Sequence, residues 1–148
     1  MTIRMAQTEA DLRRCLPALL GLRPHLDEAT ALAQLQEQRA HERFSVLFVD
    51  AGDGPAPAVI TYRQMTLLFS GKTIYIDDLA TLSDARGKGY AGALLDFVID
   101  QARQLGCRTV SLDSGHGPDR ADAHRLYLNK RFRISSHHFS LTLSDESV

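Results

Sequence analysis

Residues Ala85 to Leu95 read ARGKGYAGALL, with two glycines, an arginine and a lysine directly ahead of an apolar run at helical spacing. The first turn of a helix leaves backbone N–H groups without intrahelical partners, and the aligned peptide dipoles make that end partially positive. Gly87 and Gly89 lack a Cβ, so the backbone can take unusual dihedrals and an anion can approach the amides closely. Arg86 and Lys88 add full positive charges, and a guanidinium can grip phosphate through two parallel bonds. Phosphate binding is the chemistry this stretch offers. It is not a Walker loop, GxxxxGK[ST], nor a dinucleotide GxGxxG following the first strand of a βαβ unit.

Other side chains could move protons. Asp77 and Asp78 interrupt the apolar stretch YIDDLATL. Successive strand residues face opposite sides, so only one of the two is expected in a cleft. Either could instead be paired with an arginine. Imidazole, with a pKa of about 6.5, suits removal of an ammonium proton. His137 and His138 are adjacent in an expected strand and should diverge, which argues against a shared metal, and no metal is expected. His116 falls in a loop and His124 on a helix face, and each is read as structural or exposed. Asp113, Ser114 and His116 include triad residue types but crowd one turn without a nucleophile elbow. Cys15 and Cys107 lie far apart outside any CxxC pair and read as buried thiols. No histidine close in sequence activates Cys107 toward a covalent acyl-cysteine.

These residues need a scaffold, and the periodicities supply one. TIRMA reads as a short strand, and Thr8 with Asp11 three residues on caps a helix through Leu20, within which Pro17 stands where it could kink it. Gly21 to Pro24 break the chain before a second helix from about Asp27 to His41, with Ala29, Leu32, Ala33 and Leu35 as its apolar stripe. RFSVLFVD, AVITYRQMTLL and TIYIDDLATL read as three antiparallel strands separated by the loop AGDGPAP and the turn FSGK. Ala91, Leu94, Leu95, Val98, Ile99, Ala102 and Leu105 define an amphipathic helix ended by Gly106. CRTVSLD then returns as a strand parallel to the one before that helix, through a right-handed crossover. Asp119 or Asp122 caps a last helix through about Asn129, FRISSHHFSLTL closes as a long strand, and the tail SDESV frays.

The chain of 148 residues suits one domain, 1–148. Seventeen basic and eighteen acidic side chains nearly cancel, so the field that draws proteins to nucleic acid or anionic membranes is missing, and neither is an expected partner. The opening residues lack the apolar core of a signal peptide and no apolar stretch approaches the roughly 20 residues that span a bilayer. A cytoplasmic protein is the expectation.

The glycine turn and a second segment together resemble the GNAT superfamily of acyl-CoA-dependent N-acyltransferases. Arg86, Gly89 and Ala91 fit that family's (Q/R)xxGx(G/A) signature, and DAHRLYLNKRF is similar to its A…LYxxxGF segment, with Tyr127 at the tyrosine position. The order of elements over about residues 2 to 143 agrees. The resemblance implies an α+β fold, with a central, mostly antiparallel mixed sheet whose one parallel pair splays at the fourth and fifth strands, flanked by about four helices. It implies acetyl-CoA as cosubstrate, its pantetheine pairing with the backbone of Leu79, Ala80 and Thr81. The pyrophosphate would lie on the turn formed by Arg86, Gly87, Lys88, Gly89, Tyr90, Ala91 and Gly92.

Amide formation from a thioester needs a neutral amine, a polarised carbonyl and a proton for the departing thiolate. By the resemblance Tyr127 is the general acid, a backbone N–H near Leu79 to Thr81 meets the carbonyl oxygen, and Asp77 or Asp78 serves as base. The implied activity is acetyl transfer to a primary amine of a small molecule or a protein. The alternative is a sensor or scaffold that binds acyl-CoA without turnover. Two departures stand out. Arg120 occupies a position where many members carry asparagine, and could bind phosphate instead. Arg131 replaces the glycine of the GF pair, so the helix is expected to bend at Asn129 or Lys130, because a left-handed arginine is strained. Residues of about Leu22 to Glu28, Arg63 to Lys72 and Ser135 to Phe139 should shape the acceptor pocket, and a homodimer partner could supply a missing wall.

Overall fold

The computed structural model of the chain describes residues 1–144. The chain divides into two compact units, residues 1–111 and 112–148. In the first, β1 (Thr2–Met5), β2 (Phe44–Asp50), β3 (Ala58–Leu67) and β4 (Gly71–Thr81) pair antiparallel in chain order. β5 (Thr109–Leu112), within which the boundary falls, runs parallel to β4 at the end of this five-stranded mixed sheet. Three helices belong to the first unit, α1 (Glu9–Leu22), α2 (Glu28–His41) and α3 (Tyr90–Gln104).

Local signals start α1 and α2. Thr8 accepts a hydrogen bond from the Asp11 amide at 3.1 Å while the Asp11 carboxylate accepts from the amides of Thr8 and Gln7, a complete capping box. α1 continues past Pro17 and past the expected break at Gly21, ending at Leu22 with Arg23 as its cap. Asp27 caps α2 by accepting from the Thr30 amide at 2.7 Å. The buried stripe of α2 is Ala31, Leu32 and Leu35, whereas Ala29 and Ala33 face solvent.

The two sides of the sheet are distinct. α1 and α2 bury Leu12, Leu16, Leu19, Leu32 and Leu35 against Phe44, Val46, Phe48, Val59 and Ala80. The alternate residues Leu47, Ile60, Ile74 and Ile76, also buried, form the opposite face, where α3 contributes Leu94, Leu95 and Val98. Cys15 lies in the α1 core, and burial pushes its thiol up to about 12, while Cys107 is only half-buried, not buried as expected.

The second unit is built on α4 (Ala121–Asn129), preceded by a turn over Pro118–Arg120. Neither Asp119 nor Asp122 caps it: its N-cap is Arg120, with no side-chain cap bond, because the preceding turn shifts the start of the helix between the two acids. The expected closing strand over residues 132–143 is not formed among the described residues. Apolar alternation offers a face, but a strand also needs a ladder partner and a surface to cover, and Ile134, Phe139, Leu141 and Leu143 stand exposed. The tail beyond Ser144 lies outside the described residues. Among those residues no helix is long and apolar enough to cross a membrane.

Candidate active site

The chain leaves β4 through a short turn, Ser83–Ala85, anchored by the Leu82 amide donating to the Pro57 carbonyl at 2.8 Å and by the buried Ala85 side chain. Arg86 is extended, and Gly87 and Gly89 then take φ of 78° and 81°, the left-handed region that glycine tolerates. Gly89 is the N-cap of α3 and brings no side-chain cap, and the first turn of α3 holds no acid. α1 and α2 each satisfy an N-terminal donor with the side chain of the N-cap; among the described residues the N-terminal donors of α3 have no side-chain partner. A Cβ on Gly87 or Gly89 would meet nothing within 4 Å, so the glycines serve backbone conformation and the surface above them is open. Arg86 and Lys88 are exposed, and among the described residues neither has an ion-pair partner. Tyr90, Ala91 and Gly92 follow, half-buried, on the first turn. Open amides, a helix dipole and two uncommitted cations fit an anion such as pyrophosphate.

β4 delivers the two acids. Its register against β3 runs Arg63↔Tyr75 and Tyr62↔Ile76, then jumps to Thr61↔Asp78 and Ile60↔Leu79, so Asp77 is the extra residue of a β-bulge. The bulge resets the alternation: Ala80 lies in the α1/α2 core although Ile74 and Ile76, at even spacing from it, face the other way. Asp77 and Asp78 therefore share the face of Thr61 and Arg63, correcting the expectation that only one of them could face a given side. β5 has four residues and cannot accompany all eleven of β4. It is tied in near the start of β4, where the Arg108 amide donates to the Lys72 carbonyl at 2.8 Å. Leu79, Ala80 and Thr81 end β4 beside the turn.

Both acids are held by arginines. Arg63 donates Nε to Asp77 Oδ1 at 2.9 Å and Nη2 to Oδ2 at 2.5 Å, and its Nη1 pairs with Glu42. Hydrogen bonding to Asp77, opposed by partial burial, raises the Arg63 pKa above its ordinary value. Arg23 donates Nε and Nη2 to a single oxygen, Asp78 Oδ1, at 2.8 and 2.6 Å, and Nη2 also reaches the Asp77 carbonyl at 3.3 Å. Among the described residues Asp78 Oδ2 meets only the Thr61 hydroxyl, at 3.4 Å. Arg23 and Arg63 fall within the stretches expected to shape the acceptor pocket but were not individually visible: their partners are 55 and 14 residues away, and only the bulge brings both acids to one face.

In the second unit Tyr127 sits half-buried on α4. Burial raises its phenol above the usual tyrosine range, and the positive charge of Arg120, at the N-cap, pulls the other way. α4 ends with Arg131 in the left-handed region at φ 70°, so the bend lies at Arg131 and not at Asn129 or Lys130 as expected. The Arg131 amide donates to Leu128 O and the Phe132 amide to Tyr127 O, each at 3.0 Å, which is the Schellman pattern, and satisfying these carbonyls offsets the strain. Ser114 contacts His124 at 3.0 Å and Asp113 contacts His138 at 3.4 Å, so the triad types form two separate pairs, with His116 exposed. Among the described residues no three His, Cys, Asp or Glu side chains gather as a metal site.

A family model described as Acetyltransferase (GNAT) family matches residues 7–132, spanning the glycine turn, both acids and Tyr127. The chain is 36% identical over 124 residues to a Bacillus subtilis (strain 168) protein described as uncharacterized N-acetyltransferase YhdJ, covering 83% of this chain and 85% of that one. A transcriptional regulator from Bacillus halodurans C-125 shares the fold at a TM-score of 0.78 with 21% identity, over 96% of this chain and 99% of that one. The ribosomal-protein-alanine N-acetyltransferase from Brucella melitensis biovar Abortus 2308 does so at 0.78 with 19% identity, over 97% and 100%.

Proposed function

Because the chain belongs to the GNAT acetyltransferase family and is an acyl-CoA-dependent acetyltransferase, we propose that it passes the acetyl group of acetyl-CoA directly to a primary amine. The observation that carries the reading is the bare, glycine-built N-terminus of α3 flanked by Arg86 and Lys88, which would hold the pyrophosphate. Leu79, Ala80 and Thr81 would hold the pantetheine through their backbone, and Arg120 would add a contact to phosphate.

Of the two acids we assign the base to Asp78. Asp77 has both oxygens engaged by Arg63, whereas Asp78 Oδ2 keeps lone pairs to spare. Asp78 takes a proton from the ammonium, and the freed nitrogen lone pair forms the N–C bond. A backbone N–H in the Leu79–Thr81 stretch meets the negative charge growing on the carbonyl oxygen. As the C–S bond breaks, the Tyr127 phenol gives its proton to sulfur and is reprotonated from solvent. The nitrogen sheds its second proton to become an amide, so each turnover releases one proton overall. Phenol protonation through neutral pH, favoured by burial, supports Tyr127 in this role.

A homodimer is part of the reading, supported by the exposed apolar side chains of Ile134, Phe139, Leu141 and Leu143 and checked by sedimentation velocity. The function is tested by thiol release from acetyl-CoA across a panel of primary amines. Turnover with at least one amine, strongly lowered in Tyr127→Phe and Asp78→Asn, is the expected result. Tight acetyl-CoA binding with no turnover of any amine would leave a binding module instead.

A further inference from the structure

The two arginine–carboxylate pairs on the α1/α2 face differ in a way that bears on the acceptor. Arg63 and Asp77 form a two-oxygen fork reinforced by Glu42, with side chains 23% and 16% exposed, and nothing in that pair is left to bind a ligand. Arg23 and Asp78 are joined through one carboxylate oxygen only. Among the described residues Arg23 Nη1 has no partner, Asp78 Oδ2 has one long contact, and the Arg23 side chain is 42% exposed. Arg23 stands between α1 and α2, outside the sheet, so it can swing without breaking a ladder. Asp78 immediately precedes Leu79, where the carbonyl oxygen of the thioester is placed by the proposed function.

From this asymmetry we infer that Arg23 is the residue that selects the acceptor, and that the acceptor is an amino acid-type molecule, a primary amine with a carboxylate on the same or an adjacent carbon. The inference rests on the transferase reading above. The amine of such a molecule takes Asp78 Oδ2, and its carboxylate takes Arg23 Nη1, which on a swing of the guanidinium off the Asp77 carbonyl can bond it in a parallel pair with Nη2. An incoming zwitterion thereby gives each member of the one-oxygen pair a second oppositely charged partner. A simple amine satisfies Asp78 but leaves Arg23 as it was, and a simple carboxylate meets the charge of Asp78.

Calorimetric binding to the full-length protein saturated with CoA reads this site whether or not turnover occurs. The probes are L-alanine, L-methionine and L-glutamate, each beside its α-amide. At least one amino acid should bind about tenfold or more tightly than its amide, because a site built to bond a polar group rejects the analogue lacking it. Arg23→Met should bring the two within about twofold and Arg23→Lys should recover part of the preference, since lysine keeps the charge without the fork. An unchanged melting temperature and CoA affinity certify the folded state of each variant. Equal binding of acid and amide by the unaltered protein, no binding of either, or a preference that survives Arg23→Met would overturn the inference. Thiol release is measured alongside across the wider panel of amines: preference with no turnover of any amine refutes the transferase reading and leaves Arg23 a selector of bound amino acids, whereas turnover of amines without preference refutes this inference alone.

Discussion

Tyr127 and Phe132 are joined twice. Their ring centroids lie 6.0 Å apart at an interplanar angle of 55°, and the Phe132 amide donates to the Tyr127 carbonyl at 3.0 Å. These are the third-from-last and second-following positions of a Schellman cap, whose apolar contact usually accompanies the 6→1 hydrogen bond. The cap that ends α4 thus also orients the ring proposed to deliver a proton.

The cap carries a strained residue. Arg131 at φ 70° occupies a conformation that glycine adopts freely. Arg131→Gly should stabilise the protein by about 1 kcal/mol, seen as a higher urea midpoint at unchanged slope. Phe132→Ala should lower the midpoint and, by loosening the ring of Tyr127, lower kcat more than it changes KM for acetyl-CoA.

Tyr127→Phe should lower kcat by about 10²-fold, the usual worth of a positioned acid. Because burial raises the phenol pKa, the acid stays protonated through neutral pH and the alkaline limb of kcat should fall above the ordinary tyrosine value. Arg120 pulls that pKa down, so Arg120→Ala should move the limb to still higher pH. A limb that stays in place in both variants belongs to another group.

Gly89→Ala tests the turn. The new methyl has open space, but φ 81° is strained for alanine and costs about 1 kcal/mol of stability. If amides there hold pyrophosphate, KM for acetyl-CoA should also rise at least about tenfold, as one lost charge-assisted contact implies. A turn that only connects β4 to α3 would show the loss of stability without the loss of affinity.

Asp11 supplies an acid-sensitive clamp. Bonds from the amide of Gln7, then from Arg4 and the amide of Thr8, outweigh burial and lower its pKa from 3.8 to about 2. A depressed carboxylate stabilises the fold above its unfolded pKa and loses that contribution as pH falls through the folded value. Asp11→Asn should therefore cost about 2 kcal/mol at neutral pH, and the gap between variant and parent should close as pH falls from 4 to 2 in denaturant titrations.

What the sequence disclosed was local. Thr8 and Asp11 sit three residues apart and cap a helix, and Gly87 and Gly89 announce a backbone turn. Asp77 and Asp78 were legible as acids in a strand but not in orientation, because one inserted residue looks the same as two regular ones until the partner strand sets the register. Arg23 was hidden for a related reason, since its partner lies 55 residues away and depends on that register. Arg131 ran against its own propensity because two hydrogen bonds and an aromatic contact outweigh the strain. The segment after Phe132 shows the converse case, in which a two-residue rhythm predicts a strand and none forms among the described residues.

The extra residue in β4 makes the strand two half-strands of opposite phase. Substitutions at Ile74 or Ile76 are felt beneath α3 and leave the acid-bearing side alone. Deleting Asp77 would join the two halves in the register they already hold, Ile76 opposite Tyr62 and Asp78 opposite Thr61, so Asp78 would stay beside Arg23 and Ala80 in its core while Arg63 loses its two-oxygen partner. Loss of this one amino acid would thus unbuckle the neighbouring Arg63 clasp while sparing the pair on which acceptor choice is proposed to rest.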